Sequence, residues 1–137
     1  NASYQSTASA ILSLRNLSLS PPLLILGDML ELGKFSEIEH NKLIPLIKSI
    51  KPRLLVAIGE QMSKIAKSLE TNYKTICFDS TNIAINEVPN LIQNNDLILI
   101  KGSNGMGLNL VVNSIKDYFH DLNKNEKILD KDNSNVA

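Results

Sequence analysis

Short apolar runs alternate along the chain with stretches of helical period. Four runs have the length of a buried strand and no polar alternation, at residues 23–26, 54–58, 75–78 and 97–100. Between them, apolar side chains recur at i, i+3, i+4 and i+7, first at Leu43, Leu46, Ile47 and Ile50. This period predicts amphipathic helices, and strands that alternate with helices form parallel sheets covered on both faces. The pattern therefore predicts an α/β domain.

The order of the strands follows from the handedness of their connections. Right-handed crossovers leave few arrangements of four such strands. We predict a Rossmann-like three-layer domain with a mainly parallel sheet, in which the fourth strand lies beside the first and the core strand order is 3-2-1-4. Ligands of open α/β sheets bind where the strand order reverses, at the carboxyl ends of the strands. The candidate binding site is therefore the edge where strands one and four end.

Two polar loops follow strands one and four and would meet at this edge. Loop one is residues 27–33, Gly-Asp-Met-Leu-Glu-Leu-Gly, and loop two is residues 101–107, Lys-Gly-Ser-Asn-Gly-Met-Gly. The helix predicted from about Leu108 would direct amides and a partial positive charge at a ligand, so Lys101 and these amides suit a carboxylate or a phosphate. Loop two is neither a Walker motif nor a dinucleotide fingerprint, and its glycines could be turn residues only.

Loop one and the helix after it carry three candidate polar groups. Asp28 and Glu31 suit an ammonium group or an ordered water, although they could equally cap a helix from a solvated loop. His40 is a candidate base, yet a lone histidine is more often a packing or surface residue. No cysteine and histidine cluster has zinc spacing, so no metal is expected. Cys77 lies in an apolar run, which predicts a packed strand thiol.

Capping and breaking residues suggest where the helices begin and end. Ser36 and Glu39 have the spacing of a capping box, which predicts a helix over residues 37–49. Pro45 falls inside that helix, and Pro89 falls inside the helix predicted between residues 82 and 92. Because proline removes a backbone hydrogen bond, we expect a kink or a break at each of these positions.

The two ends of the chain differ in character. A helix before the first strand would place four apolar side chains on one side, namely Ala10, Ile11, Leu14 and Leu17. From residue 121 onward the chain is polar and charged, with little apolar surface to bury. We predict one domain over residues 1–120 and a disordered tail over residues 121–137.

Composition narrows the classes of partner. The chain has 137 residues, of which 43% are hydrophobic, as in an ordinary single globular domain. Its 14 basic and 14 acidic residues cancel, so no bulk attraction to nucleic acid or to an anionic membrane is expected. No apolar run approaches the roughly 18 residues of a membrane span. We expect a monomeric, cytoplasmic protein that binds no nucleic acid.

Three segments together resemble the carboxyl-terminal domain of the Mur ligases, the enzymes of peptidoglycan synthesis. They are loop one, the segment Ser-Glu-Ile-Glu-His that ends at His40, and residues 101–106. Loop one resembles most specifically the branch that adds D-alanyl-D-alanine. The first three residues, Asn-Ala-Ser, also resemble the end of the segment that joins the family's central domain to its last domain. The chain lacks an initiator methionine, and we expect a piece of a longer enzyme.

The resemblance implies an ATP-dependent ligase that adds D-alanyl-D-alanine to UDP-N-acetylmuramoyl-tripeptide. ATP and Mg²⁺ would be bound mainly by the central domain, which is missing here with the amino-terminal domain, so the chain alone is expected to be inactive and to hold no cofactor. The last domain would present the amine and close over the nucleotide. Asn1 is the candidate nucleotide contact, and the candidate substrate contacts are Asp28, Met29, Glu31, His40, Lys101, Gly102, Ser103, Asn104, Gly105 and Met106. No catalytic residue is assigned within this chain.

Some positions depart from the family pattern. Ser3 and Tyr4 stand where the family usually has Asn and Pro, and Asn104 stands where it often has Arg. The carboxylate pocket would then depend on Lys101 and backbone amides. Two other readings stay open, a free-standing α/β module for a small anion and a protein-interaction domain. An upstream sequence with a P-loop would favour the ligase.

Overall fold

The computed structural model describes residues 2–17 and 20–134, of which residues 128–134 are described by their backbone alone. Asn1, the candidate nucleotide contact, lies outside the described residues. Within them, one parallel sheet has the order β3-β2-β1-β4, which confirms the predicted fold class and strand order. Its strands are β1 (Leu23–Gly27), β2 (Leu54–Ile58), β3 (Thr75–Phe78) and β4 (Ile98–Lys101).

Helices cover both faces of the sheet. They are α1 (Tyr4–Ser13), α2 (Ser36–Asn41), α3 (Leu43–Ile50), α4 (Glu60–Leu69), α5 (Thr81–Glu87) and α6 (Asn109–Ser134). One layer holds α1, α3 and α4 against alternate strand residues, among them Leu24, Leu26, Leu55 and Ala57. The other layer holds α5 and α6 against the intervening ones, among them Leu23, Ile25, Leu54, Val56 and Ile58.

The two central strands form the rigid part of the core. Every residue of β1 and β2 is buried, as the run of apolar residues without polar alternation predicts. Each fully buried leucine or isoleucine contributes roughly 2 kcal/mol. β1 pairs with both β2 and β4, and its register against β4 brings the carboxyl ends of β1 and β4 side by side.

The outer strand β3 differs from the prediction at Cys77. The prediction of a packed thiol is wrong, because Cys77 is exposed. Its Sγ lies 3.9 Å from the carbonyl oxygen of Ser63. Among the described strands, β3 pairs with β2 alone, and it is less buried than the central strands. An apolar run on an outer strand is covered on fewer sides, and the sequence does not reveal which strand is outermost.

The prolines interrupt helices as predicted, although each break lies upstream of its proline. The predicted helix over residues 37–49 is two helices, α2 and α3, which meet at Lys42. The ring of Pro45 would collide with the carbonyl group four residues earlier in a continuous helix, so the break falls at Asn41 and Lys42. Near Pro89, α5 ends at Glu87 and a 3₁₀ turn takes over.

The predicted capping box at Ser36 is wrong. A 3₁₀ turn at Gly33–Phe35 leads directly into α2, and Ser36 already has helical backbone angles. Its hydroxyl lies 3.4 Å from the Nδ1 atom of His40 instead, and Glu39 pairs with Lys42. A capping box does occur at α1, between Ser3 and Ser6. The same residue spacing therefore gives a cap only where the preceding backbone is extended.

The terminal helices also differ from expectation. Ile11 and Leu14 are buried as predicted, whereas Leu17 is 66% exposed because α1 gives way to a 3₁₀ turn at Leu14. At the other end, α6 continues to Ser134 across the segment for which composition predicts disorder. Residues 121–127 of that helix are all exposed. Residues 121–134 are thus helical and residues 121–127 are unburied, while the domain boundary near residue 120 and the disordered tail stay predictions.

An ion pair joins the amino ends of β2 and β4. The guanidinium group of Arg53 donates to both carboxylate oxygens of Asp96 and to the carbonyl oxygen of Leu91. Burial by itself opposes ionisation of Asp96, but the hydrogen bonds from Arg53 and from the Gln93 amide outweigh it and lower the pKa of this carboxyl. The pair therefore fixes the loop before β4 against β2.

Arg53→Met should lower the free energy of unfolding by about 2 kcal/mol at neutral pH, because it leaves a buried carboxylate without its main donor. The pKa of Asp96 is lowered in the folded state, so its contribution is complete above about pH 4 and is lost as the pH falls through the folded pKa. Urea unfolding at several pH values should show the difference between variant and wild type shrinking below about pH 4. Lys64→Met, in the exposed pair with Glu60, is the control and should change little. Equal effects of the two variants would contradict the prediction.

Candidate functional site

Loops one and two lie side by side because β1 and β4 are neighbours. Ser103 in loop two joins them directly. Its amide donates to the carbonyl oxygen of Asp28 at 3.2 Å, and its hydroxyl oxygen accepts from the amide of Leu30 at 2.8 Å. Ser103 is only 5% exposed, so these bonds are shielded from water. The structure thus brings the two predicted loops into one site.

Two glycines of loop two allow this close contact. A Cβ atom on Gly102 would lie 3.1 Å from the Cα atom of Gly27 and 2.6 Å from the side chain of Leu108. A Cβ atom on Gly105 would lie 2.9 Å from the side chain of Leu30. Gly102 is therefore needed where the two loops pack, whereas at Gly105 the exposed side chain of Leu30 can turn away.

Asp28 caps a helix, as the alternative interpretation of this residue proposed. Its Oδ1 atom accepts from the amide of Met62 at 2.7 Å, and its Oδ2 atom accepts from the amide of Gln61 at 3.2 Å. These amides belong to the first turn of α4, where a negative charge is also favoured by the helix dipole. Asp28 is 8% exposed. Its carboxylate therefore connects loop one to α4 inside the protein.

His40 holds loop one in place through a hydrogen bond from inside the protein. It is 1% exposed. Its Nε2 atom accepts from the amide of Met29 at 2.9 Å, and its Nδ1 atom lies 2.7 Å from the carbonyl oxygen of Ser36. An amide can only donate and a carbonyl can only accept, so Nδ1 carries the proton and the ring is neutral. The structure therefore gives His40 the packing role that its sequence context favoured.

Glu31 and Lys101 are the candidate charges that make no hydrogen bond or ion pair with the described residues. Glu31 is exposed and faces a pocket of about 220 Å³ that is lined by Leu30, Glu31, Ser103 and Gly105. Lys101 is partly buried and, with Asn104 and Asn109, lines a pocket of about 430 Å³. Both pockets include Ser103, so an anionic and a cationic residue each line a pocket along loop two.

The beginning of α6 borders the larger pocket. A 3₁₀ turn at Asn104–Met106 and a left-handed Gly107 lead into the helix, close to the predicted start at Leu108. The amides of Leu110 and of the next two residues already donate to backbone carbonyls. The amides of Ser103, Met106 and Gly107 do so as well. The amides beside the pocket that can face a ligand are therefore those of Asn104, Leu108 and Asn109.

Comparison with known proteins identifies the family. Residues 1–104 match the model of the Mur ligase, glutamate ligase domain. The chain belongs to the Mur ligase family. It is 31% identical over 119 residues to the UDP-N-acetylmuramoyl-tripeptide--D-alanyl-D-alanine ligase of Rickettsia prowazekii (strain Madrid E), a match that covers 87% of this chain and 26% of that protein. The chain thus spans about a quarter of the length of this relative.

Solved structures share the fold. A crystal structure of MurF from Acinetobacter baumannii superposes with a TM-score of 0.70 at 24% identity, over 85% of this chain and 26% of that one. MurF ligase from Thermotoga maritima, solved in complex with ADP, superposes with a TM-score of 0.65 at 17% identity, over 88% of this chain and 27% of that one. Both agree with the α/β architecture described above.

The sequence did not predict a third wall of the candidate site. The loop after β3 and the first turn of α5 line a pocket of about 380 Å³ with loop two, and its lining includes Asp79, Asn82, Met106 and Leu110. The hydroxyl group of Thr81 donates to the carbonyl oxygen of Met106. The Asp-Ser-Thr segment after strand three was the available signal. This segment was not predicted to lie near loop two, because β3 lies at the far side of the sheet from β4.

Apolar side chains are also exposed at the edge of this Mur ligase domain where the carboxyl ends of the strands lie. Leu30, Ile83 and Leu110 are each 39% to 50% exposed, and they belong to loop one and to the first turns of α5 and α6.

Among the described residues, no group of three or more acidic, histidine or cysteine side chains could hold a metal ion. In the same part of the chain, no helix is long and apolar enough to cross a membrane.

Proposed function

We propose that this chain is the carboxyl-terminal domain of an ATP-dependent ligase that adds D-alanyl-D-alanine to UDP-N-acetylmuramoyl-tripeptide in the cytoplasm. The observation that carries the proposal is the pocket of Lys101, a cation with no described partner beside the backbone amides that precede α6. Such a pocket suits the carboxylate of the dipeptide. The similarity to the Rickettsia ligase supplies the reaction.

In this proposal the domain presents the amine and does not activate the acid. Elsewhere in the enzyme, the tripeptide carboxylate takes the terminal phosphoryl group of ATP, which forms an acyl phosphate and releases ADP. The dipeptide amine, once its ammonium form has lost a proton to solvent, attacks the carbonyl carbon, and phosphate leaves as the amide forms. ATP and Mg²⁺ are held mainly by the central domain, with Asn1 as a nucleotide contact. The isolated chain is expected to be a monomer without ligase activity.

The remaining candidate residues receive supporting roles. Ser103 holds the loops together, and Gly102 and Gly105 permit their approach. Met29 is buried and its amide is held by His40, so it shapes loop one from inside. These residues keep the two charged groups in place, which is how binding sites are preorganised.

Two further residues border the ligand in this proposal. Asn104 lies in the pocket of Lys101 and offers an amide group where an arginine is common in the family. Met106 lies between the α5 turn and loop two, where Thr81 fixes its carbonyl oxygen. Asn104 would add a neutral hydrogen bond to the carboxylate, and Met106 would contribute apolar contact.

The exposed apolar side chains give the domain a surface for closure. Leu30, Ile83 and Leu110 surround the site at the carboxyl end of the sheet. The charges of the chain balance, so contact with the rest of the enzyme would depend mainly on apolar burial. Closure on this side would exclude water from the acyl phosphate.

A titration with D-alanyl-D-alanine tests the proposal. Amide NMR shifts should change in loops one and two of the wild-type chain at millimolar ligand. Lys101→Met should weaken binding about 10-fold, since it removes a charge-assisted hydrogen bond. Lys116→Met is the control, because Lys116 is exposed on α6 outside the pocket. A wild-type chain whose loops show no shift would contradict a preformed dipeptide site.

A free-standing module for small anions is the second candidate function, because the pocket of Lys101 could bind an anion without loop one. Acetate and phosphate would then shift loop two as strongly as the dipeptide does. The dipeptide should instead shift both loops. The upstream coding sequence also separates the two candidates, since the ligase requires a P-loop domain before this one.

A further inference from the structure

We propose that Glu31 binds the ammonium group of the incoming dipeptide; this inference rests on the proposed function. Three groups near loop one suit an amine by their chemistry, namely Asp28, Glu31 and His40. Both oxygens of Asp28 accept hydrogen bonds from amides of α4, and Nε2 of His40 accepts one from the amide of Met29. An amine could bind either group only by displacing bonds inside the protein. Of the three, Glu31 is the one whose side chain makes no hydrogen bond or ion pair with a described residue.

The backbone of loop one presents Glu31 to the pocket. Its φ angle is 63°, in the left-handed region that glycine adopts more readily than glutamate. The residues before it are fixed, because the amide of Leu30 donates to Ser103 and that of Met29 donates to His40. The buried bonds of loop one thus hold an exposed glutamate in an unfavourable conformation. Nothing in the packing of Glu31 itself accounts for that conformation, since its side chain is exposed.

Glu31 and Lys101 supply the two charges that bind a zwitterion. Glu31 shares its pocket with Ser103 and Gly105, and the pocket that Lys101 lines also includes Ser103. A ligand that crosses Ser103 and Gly105 would meet a carboxylate at one end and an ammonium group at the other. D-Alanyl-D-alanine carries the complementary charges at its two ends. Glu31 therefore orients the amine end of the dipeptide, which attacks once its ammonium form has lost a proton.

The test combines a change in the protein with a change in the ligand. Wild type and Glu31→Gln are titrated with D-alanyl-D-alanine and with its N-acetyl derivative, which lacks the ammonium group. Removal of either charge should raise the Kd about 10-fold, and removal of both should raise it no further. Glu37→Gln is the matched control, because Glu37 is exposed on α2.

The possible outcomes separate the two proposals. Tight binding of the dipeptide by Glu31→Gln would overturn the inference and leave the proposed function intact. Additive losses from the two changes would also overturn it, because the two groups would then act independently. A wild-type chain that binds neither ligand would overturn the proposed function and this inference together.

A second variant separates binding from folding. Glu31→Gly relieves the left-handed strain, so its Tm should equal or exceed that of wild type while its affinity for the dipeptide falls about 10-fold. This combination is expected of a residue that is strained in order to bind. A lower Tm with unchanged affinity would show that Glu31 serves the fold, and would overturn the inference.

Discussion

Gly59→Ala is expected to lower the free energy of unfolding by about 3 kcal/mol or more. Gly59 precedes α4 with φ 106° and ψ 168°, a conformation that is almost confined to glycine. A Cβ atom there would also lie 2.6 Å from the Asp28 carboxylate. That carboxylate is held by two amides of α4 and cannot move without losing them. Urea unfolding of the variant measures the effect.

Gly33→Ala is the matched control for this prediction. Gly33 also has a positive φ, of 56°, but a Cβ atom added to it would meet no described atom within 4 Å. It should therefore lose only the cost of a left-handed backbone, about 1 kcal/mol. Adding Asp28→Ala should reduce the penalty of Gly59→Ala, because the carboxylate that collides is gone. Similar losses in Gly59→Ala and Gly33→Ala would refute the close contact.

His40→Phe is expected to cost about 3 kcal/mol of stability and to loosen loop one, since a buried polar group without a partner costs about 1 to 3 kcal/mol. The variant keeps a ring but leaves the amide of Met29 and the carbonyl group of Ser36 without the partner that His40 provides. Hydrogen exchange at the Met29 amide should accelerate, and the affinity for D-alanyl-D-alanine should fall because loop one no longer holds its shape.

His120→Phe provides the comparison within the same chain. His120 is exposed on α6, so its replacement should change stability by less than about 0.5 kcal/mol. If both histidine variants behaved alike, the two hydrogen bonds of His40 would not contribute to the fold. Fast exchange at Met29 in the wild-type chain would contradict the same point, because that amide should be protected by burial and by the ring of His40.

The sheet could be predicted from the sequence because its signal is local. β1 and β2 are runs of Leu, Ile, Val and Ala bounded by polar loops, and β2 has the predicted bounds. Prolines and glycines likewise act on their own neighbours, so the breaks near Pro45 and Pro89 were foreseeable. Cys77 was not foreseeable, because its exposure depends on β3 having a neighbouring strand on one side only.

The site was predicted as a place, and its residue roles were not. Gly27 to Gly33 and Lys101 to Gly107 could be paired from the strand order alone. Sequence alone could not distinguish Asp28 from Glu31, since both are carboxylates in one loop. Only in the fold does Asp28 reach the first turn of α4, while Glu31 remains exposed. The Asp79 to Asn82 wall was missed for the same reason, because it is brought to loop two by packing of α5 against α6.

The sequence by itself determined the α/β class, the strand order, the two loops of the site and the Mur ligase motifs. These depend on residue periodicity and on spacing along the chain, which are properties of neighbouring residues. The tertiary structure alone decided that Asp28 and His40 support loop one, and that Glu31 and Lys101 have no partner among the described residues. A hydrogen-bond partner can come from any distance along the chain, as Met62 does for Asp28. Only the folded chain determines which polar groups are satisfied internally and which remain for a ligand.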